Sequence, residues 1–195
     1  MALLVLEKWR AKEIVIPNDI NAEVTGARFK MGNDMLHIFG YYNPHRLKPN
    51  KKLFEFTESF ENYLLLGDLN CKMQPWDDGT DANGVALQKI LDENNGAILN
   101  NVNQPTFFHQ RKDSPLNYST LDLMIASSIF AARLNFIKTL PYSFVDTFQR
   151  KYYHLPLLAT FDMEKQLEMA EKPKTQAFKY FQAEWGEVSG RIINK

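Results

Sequence analysis

Leu64-Leu65-Leu66-Gly67-Asp68-Leu69-Asn70-Cys71 is the stretch on which the reading of this 195-residue chain turns. Three apolar residues run into a glycine, then a carboxylate and a carboxamide stand two positions apart. An apolar run closed by Gly predicts a buried strand that stops abruptly. In extended chain, side chains two apart share a face, so Asp68 and Asn70 are expected to point the same way from the strand's carboxyl end. In α/β sheets that end is where ligands bind. An acid and an amide aimed at one spot can hold a metal-activated water and turn it toward a phosphate. The same residues also make ordinary turns, so the stretch does not decide alone.

The rest of the chain sets bounds. Its length suits one domain with a sizeable core, and 45% apolar with 13% aromatic residues fits a globular fold. Basic and acidic residues balance at 23 each, so no broad basic face is visible from composition. The single cysteine, Cys71, allows no internal disulfide and suits a reducing, intracellular setting, nuclear or cytoplasmic. The apolar start, residues 1–6, lacks a basic leader and runs into Glu7-Lys8-Trp9-Arg10, so it reads as an interior strand rather than a signal peptide.

Periodicity predicts strands at 3–6, 14–16, 23–30 and 35–42, with a turn at Met31-Gly32-Asn33-Asp34 making a hairpin of the last two. A surface helix is expected over 50–62, from Leu53, Phe56 and Phe60. A second, capped by Asn83, presents Val85, Leu87, Ile90 and Leu91 and stops at Asn94-Asn95-Gly96. Further strands follow at 97–99, 118–126, 133–140 and 155–161. Mixed this way, the elements predict an α/β fold of two sheets in contact with helices outside. Residues 1–163 form the domain, and 164–195 read as a charged linker and a helical tail.

Three more polar residues stand at apolar strands. Asp122 lies inside the run Tyr118-Ser119-Thr120-Leu121-Asp122-Leu123, where a buried acid needs a partner or a metal. A local ion pair is the plainer account of it. His154 opens Leu155-Pro156-Leu157-Leu158, and a lone histidine is often structural. Tyr42 ends its strand before Asn43-Pro44 and serves equally well as core.

In order, these motifs resemble the endonuclease/exonuclease/phosphatase superfamily, the deoxyribonuclease-I-like fold, and most closely the endonuclease domain of LINE-type non-LTR retrotransposons. Gly67-Asp68-Leu69-Asn70 is similar to the family's Gly-Asp-Phe-Asn. Tyr42-Asn43-Pro44, Gly84 to Gly96, Pro105-Thr106-Phe107 and Ser119-Thr120-Leu121-Asp122-Leu123 match its other signatures in register. The segment 178–185 resembles the lead-in to a reverse transcriptase domain. The resemblance implies a two-sheet α/β sandwich and magnesium-dependent hydrolysis of DNA phosphodiester bonds. It implies Asp68 aligning the attacking water and Asn70 holding the water and the scissile phosphate. Tyr42 would bind a phosphate oxygen and Thr106 would touch the DNA backbone. Asp122 would orient a neighbouring group, and His154 would stabilise charge on the phosphate. Arg46, Lys48, Lys51, Lys52, Arg111 and Lys112 are the candidate phosphate-contacting cations.

Two departures from the family temper the expected activity. The family's Ser-Asp-His is Tyr152-Tyr153-His154 here, which is expected to deprive His154 of an orienting carboxylate. The family's amino-terminal strand-helix-strand unit, with its metal-binding Glu, has no counterpart before Met1. The expectation is therefore a truncated nuclease of weak or absent activity. A non-catalytic nucleic-acid-binding remnant is the alternative, and a small-molecule phosphoesterase is the third reading.

Overall fold

The computed structural model describes residues 2–102, 104–109, 115–140 and 152–163. Its central layer is a six-stranded sheet: β1 (Lys12–Glu13), β2 (Glu23–Met31), β3 (Asp34–Tyr42), β4 (Tyr63–Asp68), β5 (Gly96–Ile98) and β8 (Asp122–Ser127). Their order is β1-β2-β3-β4-β8-β5, with β3 and β4 parallel and the other pairs antiparallel. The β2–β3 hairpin forms because alternating apolar residues give each strand one greasy face and Gly32 takes the left-handed turn position, φ 58°.

One face of this sheet carries α1 (Lys51–Glu58) and α2 (Ala82–Glu93) over a core of Phe39, Tyr41, Leu53, Phe54, Leu65, Trp76, Leu87 and Leu123. The other face packs Leu36, Leu64, Met124 and Phe130 against a two-stranded sheet, β9 (Leu134–Thr139) and β11 (Leu157–Phe161). A third sheet, in the order β10-β6-β7, joins β6 (Phe107–His109), β7 (Asn117–Ser119) and β10 (Tyr152–His154). The short helix α3 (Ser128–Ala131), capped by the Ser127 hydroxyl, leads from β8 to β9.

Several local expectations shift. Residues 3–6 form no strand: Leu4 is 98% exposed, and a single 3-10 turn, Glu7–Trp9, follows. A short apolar run becomes a strand only against a partner, and among the described residues none pairs with it. Near 14–16 the ladder is displaced to β1, and Val15 faces solvent while Ile14 is buried. The second helix is capped by Asp81, which accepts the Gly84 N–H at 2.7 Å, not by Asn83. The expected strand at 118–126 breaks between β7 and β8, which belong to different sheets. At the break, Thr120 N–H donates to Asp77 Oδ2 (2.6 Å), and the Leu121 and Asp122 N–H groups donate to Thr106 Oγ1 (3.1 and 2.9 Å). Side chains there replace the ladder partners that a continuous strand would use. The linker and tail at 164–195 lie outside the described residues.

Candidate active site

The register of the central sheet builds the site. Gly40 pairs with Leu66, so two residues further on Tyr42 comes level with Asp68, and Asp68 pairs directly with Asp122. Residues level on adjacent strands point to the same face, about 4.8 Å apart strand to strand. Tyr42, Asp68 and Asp122 thus form a row on the face that carries Leu64, Leu66 and Met124.

Gly67 permits this strand end. Its φ is +147°, and an added Cβ would collide with the Tyr41 carbonyl. Beyond it, Asn70 is left-handed at φ 49°, a conformation asparagine tolerates better than most residues. Asn70 N–H donates to Asp68 Oδ1 at 3.2 Å, and its Nδ2 donates to the Asn43 carbonyl at 3.0 Å. The strand end is therefore closed as an Asx turn with both functional side chains anchored.

His154 comes from another sheet. β10 pairs with β6, setting His154 opposite Phe107, whose ring centroid is 4.8 Å away. The imidazole Nδ1 lies 2.8 and 3.1 Å from the two Asp122 carboxylate oxygens, the geometry of a donated Nδ1–H shared by the carboxylate. The expectation that His154 lacks an orienting acid is corrected here, because Asp122 supplies the charge that position 153 does not. The Tyr153 side chain lies outside the described residues. Asp122 is the less exposed of the pair, and His154 keeps 46% of its side-chain surface open, so its other nitrogen remains reachable.

The electrostatics follow. His154 is raised above its ordinary value, first by the Asp122 hydrogen bond, while burial opposes. Asp68 is raised chiefly by burial and then by the Asp122 charge, with His154 acting the other way. Two carboxylates and an imidazole thus share one field, which favours the protonated imidazole and makes Asp68 a stronger base.

Thr106 does not meet the expected substrate contact. It is fully buried, and its hydroxyl is spent on the Leu121 and Asp122 N–H groups. Its carbonyl accepts the Leu155 N–H at 2.6 Å. Thr106 instead ties together the two segments that carry Asp122 and His154. Lys51 and Lys52 are taken up by ion pairs, with Glu93 (2.6 Å) and Asp19 (2.9 Å). Arg46 and Lys48 are exposed on the loop after Tyr42, and Arg111 and Lys112 lie outside the described residues.

Sequence reasoning missed Asn43 and Asn100. Asn100 donates to the Asp122 carbonyl (2.9 Å) and accepts the Met124 N–H (2.8 Å), bracketing the start of β8. Asn100 sits in an asparagine-rich stretch and Asn43 before a proline, where a structural carboxamide and a solvent-facing one look alike.

The resemblance implies magnesium, a hard cation that takes oxygen ligands and is commonly held by one or two carboxylates with waters and phosphate. Asp68 and Asn70 Oδ1 are donors of that type, and the half-buried Asp68 carboxylate suits a cation. Among the described residues, no three His, Cys, Asp or Glu side chains are grouped to hold a metal without a substrate.

A family model described as endonuclease-reverse transcriptase matches residues 36–146, more than half of the chain. The chain belongs to this family, within the endonuclease/exonuclease/phosphatase superfamily. The match spans β3 to β9 and takes in Tyr42, Asp68, Asn70, Thr106 and Asp122. No curated protein sequence matches the chain. Among solved structures it is similar to the endonuclease domain of TRAS1, a telomere-specific non-LTR retrotransposon, at 18% identity and a TM-score of 0.61. That likeness covers 80% of this chain and 71% of that one. It is also similar to the 3′ phosphatase NExo from Neisseria, bound to a product DNA hairpin, at 17% identity and a TM-score of 0.51. There it covers 70% of this chain and spans 64% of that one. At such identities the likeness establishes the fold alone. Among the described residues, no helix is long and apolar enough to cross a membrane.

Proposed function

We propose that this chain is the endonuclease domain of a retrotransposon-type reverse transcriptase protein and hydrolyses DNA phosphodiester bonds. The observation that carries the reading is the Asp122–His154 pair standing in the same row as Asp68. A half-buried acid orienting an imidazole beside a second half-buried carboxylate fits phosphodiester hydrolysis, where charge must be stabilised while a water is deprotonated.

In this mechanism Asp68, strengthened as a base by burial, takes a proton from the attacking water as that oxygen bonds phosphorus and the bond to the leaving sugar oxygen breaks, the leaving oxygen taking up a proton from solvent. Asn70, its Nδ2 tied to the Asn43 carbonyl, offers Oδ1 to that water or to the ion. Asp122 accepts the Nδ1–H of His154 and favours the protonated ring, in which Nε2–H is the second donor and serves a phosphoryl oxygen. Tyr42, level with Asp68, offers its hydroxyl to another phosphate oxygen. Asp68 and Asn70 Oδ1 would hold a magnesium ion, which would supply Lewis-acid polarisation of the phosphate. Arg46 and Lys48 are placed to meet backbone phosphates beside Tyr42. Residues 1–163 make up the nuclease unit, and 164–195 lead toward a reverse transcriptase domain.

Supercoiled plasmid incubated with the purified chain and magnesium tests the reading. Relaxed circles should accumulate, and Asp68→Ala should abolish them. A plasmid that is retarded in a gel yet stays supercoiled would favour the non-catalytic binding remnant instead.

A further inference from the structure

We propose that Asn43 is the positioning residue of this site, fixing the strand end that carries Asp68 and Asn70. The inference rests on the nicking reading for its kinetic consequence, though not for its geometry.

Asn43 follows the last residue of β3, and only 1% of its surface is exposed. A carboxamide buried so fully must satisfy its donors and acceptor internally, and here each bond has a specific destination. The Asn43 N–H donates to the Asp68 carbonyl at 2.9 Å. Its Nδ2 donates to the Leu69 carbonyl at 3.0 Å and to the Leu47 carbonyl at 2.9 Å. Its own carbonyl accepts Asn70 Nδ2 at 3.0 Å. One residue thus bonds to Asp68, Leu69 and Asn70 in succession.

The carboxamide is itself oriented. Tyr41, buried beneath it, donates its hydroxyl to Asn43 Oδ1 at 3.0 Å and accepts the Asn50 N–H at 3.1 Å. Burial pushes the Tyr41 phenol up to about 12, so it stays a donor throughout the neutral range. From the other side, Asn83 Nδ2 donates to the same Leu47 carbonyl at 2.9 Å. These bonds hold the loop after Tyr42 against the turn of Asn70, whose left-handed backbone persists only where its surroundings fix it. Without the Asn43 side chain, the Leu69 carbonyl keeps only the weak Cys71 thiol donor at 3.0 Å, and the Asx turn loses its floor.

The test uses the full chain with Asn43→Ala, Asn43→Asp and a control, Phe130→Leu, in the core cluster at the end of β8 away from Asp122. Asn43→Asp keeps the acceptor for Tyr41 but cannot donate to two carbonyls, and it stands in if the alanine variant does not fold. Nicking kcat should fall about ten- to a hundredfold in the Asn43 variants, with KM within about threefold, as expected for a small misplacement of reacting groups. Phe130→Leu should keep kcat at a similar loss of melting temperature. The second readout is the Asn70 side-chain amide resonance in a 15N-labelled sample. It should move in the Asn43 variants and stay put in Phe130→Leu. If the unaltered chain does not nick, the functional reading fails and this resonance alone decides the role of Asn43. An unmoved resonance, or kcat losses no greater than those of Phe130→Leu, overturns the proposal.

Discussion

At the scale of single residues, the site turns on the pairing of His154 with Asp122. The value of His154 is raised, first through the hydrogen bond to Asp122. A raised histidine contributes stability that is fully present below its unfolded value, near 6.5, and is lost as pH rises through its folded value. Thermal stability should therefore decline on passing from mildly acidic to mildly alkaline buffer, and Asp122→Asn should flatten that decline. The direct check is an NMR titration of the His154 ring, whose midpoint should drop in Asp122→Asn. An unchanged midpoint would show that the carboxylate does not hold the ring. This pairing was not legible in the sequence. Asp122 and His154 are 32 positions apart, and only the registers of two sheets bring them together. Likewise Pro105-Thr106-Phe107 reads the same whether the hydroxyl faces a ligand or, as here, two backbone N–H groups. Asn43 before Pro44 reads as a strand stop, which it is; that it also anchors three neighbours depends on long-range contacts.

At the scale of elements, β2, β3, β4 and the two main helices were visible because their signals are local: alternation, a glycine turn, helical spacing and caps. The abrupt end of β4 was visible for the same reason. Gly67 has a positive φ and no room for a Cβ beside Tyr41. Gly67→Ala should therefore destabilise the chain by about 3 kcal/mol or more, through combined backbone strain and steric clash. A urea titration with an unaltered midpoint would contradict this. The break between β7 and β8 escaped pattern reading, since an apolar run does not reveal that Asp77 and Thr106 take over its N–H groups. The run at 3–6 misled in the opposite sense. Its composition suits a strand, and pairing is a property of the sheet rather than of the run.

At the scale of the whole molecule, the site exists only where separate sheets meet. Asp68 and Asp122 belong to the six-stranded sheet, while His154 belongs to the three-stranded one. Thr106 joins them, bonding the Asp122 N–H through its hydroxyl and the Leu155 N–H through its carbonyl. The α/β class, the helices outside and the motif order were readable from the chain. The docking of layers was not, because it is set by contacts between the two core clusters rather than by any one stretch. The central claim is that Asp122 and His154 act as one unit on the phosphate that Asp68 serves. A double-mutant cycle in plasmid nicking measures it most directly, using Asp122→Asn, His154→Ala and the two together. Each single change should slow nicking about a hundredfold or more, and the double variant should be no slower than His154→Ala alone. Losses that multiply in the double variant would contradict it, placing Asp122 and His154 in independent roles.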